Sequence, residues 1–555
     1  MRLFSPPKVS PTVACFSFTS VALCAGLWFG FAPKSQIETI EPTIAETFSV
    51  APQIDAEQTS AEVAPSEAAL LTEATEEFGE ASSPIQLASL QTTKSRSIRV
   101  GLSTAGGEIQ IVAPGPMYVS DGAQLGRRLS IPAGKVTRFR VGPLRTLAAR
   151  GLNFKGTVEI AVDNNRYGAW QIPVVNVVGG PARASSNGEN PRWARPYRGG
   201  FEIAPQSFSF EPAKHQSKLR LVNVVPLEEY LQGVVPWEMN PTAPLEALKA
   251  QAICARGETL AKIESGRHRA DGFDVCDYDH CQGYPGIENE KPRSSLAVEQ
   301  TAGLVLLLKG RIADAVYGTN SGGITADKND VWRGGPEPHL ASRRDFDPKI
   351  HKETARVVKD RMTEVDWVEY CSRNLSSWAQ PGAGEVAALA ARRRKSPLTA
   401  ALFQENDLPE FYRWSRDFSP SDLAVAASAK SSTPFAAVDA VRVLERAASG
   451  HIKRLEVAGR AANGTPLSVV YEKDAAIRSL LSGRLGSTTA LPSSTFVVLP
   501  RRENGNVTRW VFKGAGWGHG AGMCQRGAQN HALAGWNARR ILQWYYAGVE
   551  VQPAP

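Results

Sequence analysis

A chain of 555 residues with 42% apolar content is long enough for several folded units and can bury a sizeable core, which excludes a wholly disordered protein. A formal net charge of +8 suits an anionic polymer: nucleic acid, a membrane surface or cell wall. No basic run is interleaved with aromatic residues, which argues against nucleic acid, and seven cysteines in so long a chain do not make a disulfide framework.

The chain opens with Arg2 and Lys8 before an apolar run from Thr12 to Ala32, closed by Pro33 and Lys34. Residues 1–34 therefore read as a signal peptide or a single membrane anchor. No small-x-small cleavage site ends the run, and Leu23 before Cys24 opposes a lipoprotein site. Either reading predicts an exported protein of the cell envelope, membrane-anchored or periplasmic/extracellular. Residues 35–95 are acidic and rich in Ala, Thr, Ser and Pro. They cannot bury enough apolar surface to offset ordering entropy, so a disordered tether is expected. Alternation at 98–102, 108–112, 136–141 and 158–162, broken by Gly, Pro and Asn, predicts a small β-rich accessory domain over 96–194. Nothing in it points to catalysis; a packing or wall-contact module is expected.

A head of two parts follows, 195–349 and 440–555. Strands are predicted at 200–204 and 218–224, then a short helix over 226–231 and a loop to Glu238. Glu238 stands among Trp237, Met239 and several prolines. A carboxyl in apolar company holds its proton more tightly than in water, as a general acid must; the plain alternative is a loop Glu paired with Lys or Arg. A helix over 244–256 is predicted next, with Thr242 as N-cap, Pro244 in the first turn, and Leu245, Leu248, Ala252 and Ala255 facing inward. Glu246 is a second candidate acid, though the helix dipole and Lys249 also explain it. Glu228 and Glu229 read as exposed helix residues.

His268, Cys276, His280 and Cys281 offer the ligand types of zinc. Adjacent His280 and Cys281 cannot easily both reach one ion, so His268, Cys276 and Cys281 are the expected trio. A Cys276–Cys281 disulfide is the competing reading in an exported protein. Ser321-Gly322-Gly323 and Thr325 form a small-residue loop that lets backbone approach a ligand. Residues 350–439 read as an insertion or linker, with helical patches at 356–372 and 383–394 and a basic run at Arg392–Lys395. A strand at 452–457 and a short helix at 476–481 lead to the Gly-rich run 514–528 around His519. That run is a tight loop with exposed N–H groups and Trp517 as an aromatic platform. It lacks the P-loop ending, so a nucleotide is not expected. Tandem strands with interspersed helices predict an α+β head with mixed sheets.

The run Val224–Met239, the helix from Leu245 to Ala252 and the Ala255-Arg256 pair resemble the signature of the SpoIID/LytB family. Further matches follow in order: the Ser321 to Thr325 loop, Val331-Trp332, Asp345 and the Gly-rich run around His519. Cys524 departs from a Ser often found there. The family holds stage II sporulation protein D, a lytic transglycosylase of peptidoglycan, and the amidase-enhancer proteins. The resemblance implies cleavage of MurNAc–GlcNAc linkages to 1,6-anhydro ends, with Glu238 and His519 as catalytic residues. It implies substrate contacts from Gln251, Arg256, Ser321, Gly322, Gly323, Thr325, Trp517 and Gln525. It tips the Cys/His set towards zinc and implies no organic cofactor. Expected partners are glycan strands, an amidase, and the membrane through the N-terminal segment, without nucleic acid. The alternative is a non-catalytic wall-binding activator of an N-acetylmuramoyl-L-alanine amidase.

Overall fold

A computed structural model describes residues 96–380 and 411–555, apart from 103–107, 114, 122–127, 143–146, 151, 155–156, 163–173, 179–193, 206–218, 279 and 482–490. The expected signal or anchor (1–34), the acidic tether (35–95), the helical patch at 383–394 and the basic run Arg392–Lys395 lie outside the described residues. Among the described residues no helix is long and apolar enough to cross a membrane.

The architecture is α+β with mixed sheets. Strand Ser97–Leu102 lies between Leu219–Pro226, antiparallel to it, and Val275–Cys276, parallel to it. Gly200–Pro205, Val158–Val162, Met117–Asp121 and Arg128–Ile131 extend the same sheet to seven strands. Strands from both sides of residue 195 thus share one set of ladders. A six-stranded sheet joins Ala194–Arg198, Val174–Val178, Glu108–Val112, Thr137–Val141, Leu147–Ala149 and Leu152–Phe154. Alternation works as the sequence suggests: Ile109 and Ile111 point into the core while their neighbours are partly exposed. One apolar cluster takes residues from both sheets and from the two helices that follow.

Strand Leu219–Pro226 runs directly into helix Leu227–Glu238. Leu227 N–H donates to the Arg96 carbonyl at 2.9 Å, which ties the helix start to the first strand. Here the structure corrects the sequence reading: the helix does not stop near 231 but carries through Glu238. Tyr230, Leu231, Val234 and Val235 bury its inner face, and Pro236 falls in the last turn, where the helix is about to end. The next helix is Leu245–Glu264, longer than expected. Its N-cap is Pro244, without a side-chain cap; Thr242 instead donates its hydroxyl to Asn240 Oδ1 at 3.0 Å. Ala247, Ala250, Ala252, Cys254, Ala255 and Gly257 are all buried, so this is a central helix walled on most sides.

Two ion pairs explain the two acids that pattern reading left on the surface. Arg256, fully buried, makes a fork to Glu228 (2.8 and 2.6 Å) and donates to the Leu304 carbonyl at 3.0 Å. Glu229 pairs with Arg198 at 3.1 Å, and burial raises its carboxyl.

The chain returns to this helix from far away in sequence. The last strand, Glu550–Pro553, pairs with Leu304–Leu308. Tyr317–Gly318 runs parallel to Met523–Cys524, and single bridges join Asn320 to Trp517 and Ala326 to Ala521. Arg413–Phe418, from the stretch expected as an insertion, pairs with Asn506–Ala515, which also pairs with Phe496–Glu503. Ala437–Arg446, Ile452–Arg460 and Pro466–Glu472 form a further antiparallel sheet.

Arg256 and Glu228 should respond unequally to mutation. Glu228→Ala strands a buried guanidinium and should cost about 3–5 kcal/mol. Arg256→Met leaves only a partly exposed carboxylate unpaired and should cost less. Denaturant unfolding of the two variants checks the order; equal losses would contradict it.

Candidate active site

Glu238 is the last residue of its helix and is half-buried. Its Oε1 accepts from the Gly283 N–H at 2.9 Å. Its main-chain carbonyl accepts from Gln525 Nε2 at 2.9 Å, and the same amide lies 3.3 Å from Gln251 Oε1. Gln525 opens helix Gln525–Leu533, for which Cys524 is the N-cap. The Cys524 sulfur accepts from Gly527 N–H and Ser321 N–H, each at 3.3 Å. Burial pushes this thiol up to about 12, so it acts as a neutral cap. Two segments remote in sequence, around Gly283 and Gln525, therefore converge on Glu238.

The Gly-rich run forms one wall. His519 Nδ1 accepts from the Ala521 N–H at 3.1 Å, which leaves the proton on Nε2, donated to the Tyr317 carbonyl at 2.8 Å. Its ring rests on Trp332, centroids 4.7 Å apart. Burial lowers this imidazole to about 4, so it is neutral at physiological pH. His451 lies behind the loop, accepting from Thr495 Oγ1 at 3.1 Å, and burial lowers it likewise to about 4. Gly520 has φ +71°, and a Cβ there would meet His451 Nε2 at 2.8 Å, so the loop closes on this ring only with glycine.

Tyr317 links the two predicted catalytic residues. Its carbonyl takes the His519 proton, and its hydroxyl donates to Gln282 Oε1 at 2.8 Å. Gln282 precedes Gly283, which holds Glu238. The Tyr317 phenol is raised well above its usual value, by burial first and then by the Glu238 charge. Gln282, Gly283 and Tyr317 were not singled out from sequence. They lie in no periodic pattern, and the only signal was that Gln282 and Gly283 follow the Cys/His run.

Several residues expected to touch substrate are instead internal. Arg256 and Gln251 have no exposed surface, and Ser321, Thr325 and Gln525 are nearly as buried. Arg256, Ser321, Thr325 and Gln525 are used to hold backbone, and Gln251 Oε1 faces the Gln525 amide. Ser321 Oγ donates to Asp345 at 3.1 Å and accepts from Gly323 N–H at 3.2 Å. Thr325 Oγ1 accepts from Arg343 N–H at 2.8 Å. The Gly322 carbonyl accepts from Tyr370 and Arg413, both from the stretch expected as an insertion. Trp517 is partly exposed, with its ring 4.6 Å from Phe411. The geometry gives His519 a positioning role, since both ring nitrogens are engaged within the fold. Glu246, the second candidate acid, pairs with Lys249 at 2.7 Å and accepts from Ala538 N–H at 2.7 Å, which clamps the C-terminal helix Ala538–Tyr545.

His268, Cys276, His280 and Cys281 form one cluster, with a ligand atom of each within 4.8 Å of the others. Both cysteines are free thiols, not a disulfide. Cys281 Sγ is 3.3 Å from His268 Nε2 and 4.0 Å from His280 Nδ1; Cys276 Sγ is 3.7 Å from His280 Nδ1. Tetrahedral zinc, with bonds of about 2.0–2.3 Å, separates its ligand atoms by about 3.3–3.8 Å, so the donor types fit and the 4.0 Å pair would have to close slightly around an ion. The expectation that His280 and Cys281 could not converge is corrected: the turn lets the ring fold back over the sulfurs. His268 Nδ1 meets Asp271 Oδ2 at 2.7 Å, which orients Nε2 inward as a metal-binding imidazole requires. Arg267 Nε contacts His280 Nε2 at 3.3 Å on the exposed side. A metal on Nδ1 would leave the proton on Nε2, so that contact would open. The hydrogen bond with Cys276 draws the Cys281 thiol down and pushes Cys276 up; the Lys262 charge adds to the first effect. Lys262 donates to the Cys281 carbonyl at 2.6 Å and pairs with Glu258, whose carboxyl burial raises to about 7.

Residues 215–308 match the family model described as Stage II sporulation protein, SpoIID. Residues 326–522 match a domain of unknown function, DUF8618. The chain is similar to a protein named amidase enhancer from Bacillus subtilis, 28% identical over 319 residues. That stretch is 57% of this chain but only 39% of the relative's own length. It is also similar to an uncharacterized protein of Brachyspira hyodysenteriae, 25% identical over 333 residues, which cover 60% of this chain and 68% of that one.

The neutral, buried His451 makes stability depend on pH. Above pH 6.5 both folded and unfolded chains hold this ring neutral. Between 6.5 and about 4 only the unfolded chain takes the proton, so stability falls with pH by at most about 1.4 kcal/mol per unit. The stability gap between wild type and His451→Gln should therefore narrow by about 1–3 kcal/mol from pH 7 to pH 4.5 in denaturant titrations. A constant gap would rule out a ring kept neutral by burial.

Proposed function

Since the chain belongs to the SpoIID/LytB family, we propose that it remodels peptidoglycan as a lytic transglycosylase, with Glu238 as the acid and base. The observation that carries this reading is the setting of Glu238. It sits half-buried at a helix end, with one oxygen fixed by a backbone N–H and its own carbonyl fixed by Gln525. Glu228, Glu229, Glu246 and Glu258 are each tied to a structural cation, which accounts for those four acids within the fold.

Glu238 gives its proton to the oxygen between MurNAc and GlcNAc as that bond breaks. The C6 hydroxyl of the same MurNAc then attacks its anomeric carbon, and its proton returns to Glu238. One carboxyl serves both steps, where a hydrolase uses two. Gly283 holds the carboxyl in place, and the His519 loop shapes the wall beside it.

His268, Cys276, His280 and Cys281 would hold a zinc ion with all four positions filled by protein, which is a structural site. Such an ion adds folding energy to the loop that carries Gly283. The exported location expected from residues 1–34 fits a wall substrate.

The second reading is an amidase activator, favoured by the name of the Bacillus subtilis relative. The purified full-length chain, incubated with peptide-free glycan strands, should yield anhydro ends by mass spectrometry. Glu238→Gln should lower the rate by about 10²–10⁴-fold. Wall binding by wild type without any anhydro product would sink the enzyme and leave the activator. Elemental analysis should find about one zinc per chain, and markedly less in Cys276→Ser; a metal-free wild type that folds normally would refute the zinc site.

A further inference from the structure

Trp237 immediately precedes Glu238, and 43% of its surface is exposed. Its indole lies against Gly283: a Cβ on that glycine would come within 1.9 Å of Nε1 and 2.0 Å of Cδ1. Gly283 is also the residue whose N–H holds Glu238 Oε1 at 2.9 Å. Consecutive side chains on a helix point about 100° apart and do not face each other. Here one glycine brings them back together, offering its N–H to the carboxyl and its bare Cα to the indole. An exposed aromatic plane is thereby pinned beside the candidate acid, on a loop tied down by Gln282, which donates to Ala255 O (3.2 Å) and Thr259 Oγ1 (2.7 Å).

A pinned indole presents a large apolar face with little freedom to lose on binding. A hexopyranose ring has a matching face of C–H groups, and its hydroxyls stay at the rim, in water. The indole packs on Gly283 with one part, and the residue still keeps 43% of its surface in solvent for a ligand to cover.

We propose that Trp237 is the platform on which one N-acetylated hexose of the glycan strand stacks, in the subsite beside the bond that Glu238 protonates. This inference rests on the reading of Glu238 as the acid and adds the residue that sets the sugar against it. Gly283 is the hinge of the arrangement, since any side chain there would lift the indole off the loop.

The test uses the full-length chain and peptide-free glycan strands. In the Glu238→Gln background, which blocks turnover, Trp237→Ala should weaken binding about tenfold by calorimetry, and Trp237→Phe should restore most of it. With Glu238 intact, Trp237→Ala should raise KM about tenfold and change kcat less. Binding by Trp237→Ala within about twofold of its parent would overturn the platform, even if wild type makes anhydro ends. If wild type makes none but binding still depends on Trp237, the platform stands on a binding protein and the assignment of Glu238 falls.

Discussion

Tyr317–Gly318 and Met523–Cys524 form a short parallel pair between segments some two hundred residues apart in the chain. Little else in the site could form without it. The Tyr546 hydroxyl closes the pair from behind, accepting from Met523 N–H at 3.2 Å and donating to the Val316 carbonyl at 2.7 Å. On one side the pair sets Tyr317 against His519 and Gln282. On the other it sets Cys524 as a helix cap and Gln525 beneath Glu238. Two strand residues on each side are a small ladder, so the capping sulfur, the tyrosine hydroxyl and the imidazole carry much of the alignment.

The polar residues around the site are mostly a frame. Ser321, Thr325, Gln251, Gln525 and Arg256 are buried, and a buried polar group must find partners inside the protein. Asp345 shows the pattern: fully buried, it takes hydrogen bonds from Ser321, Trp544 and Tyr545, and so joins the Ser-Gly-Gly loop to the last helix. Loop residues of this kind fix where backbone lies, and the backbone then fixes the candidate acid. Gly283 is the clearest case, because its whole contribution to Glu238 is one N–H.

The Cys/His cluster belongs to the same economy of position. Cys281 is two residues before Gly283, and Lys262 from the central helix holds the Cys281 carbonyl. A metal bound there would stiffen the loop that meets Glu238. Its orienting partner, Asp271, came from the fold and not from any ligand spacing.

The sequence by itself determined the elements whose signals are local. Alternation marked the strands around Ile98, Ile109 and Ile160, apolar spacing marked the helix after Pro244, and glycine density marked the tight loop at His519. The motif at Val234 to Met239 pointed to Glu238, and the Cys/His run to one cluster. Tertiary structure alone decided the environments. Helix Leu227–Glu238 ran past its expected end because Val234 and Val235 had a core to enter. Arg256 proved internal because Glu228 and the Leu304 carbonyl were there to receive it, and His519 proved to be a latch because Tyr317 presented a carbonyl. Periodicity reports which face of an element is apolar. It carries no information about which distant backbone group will complete a hydrogen bond, and at this site those bonds decide which side chains stay free to meet a ligand.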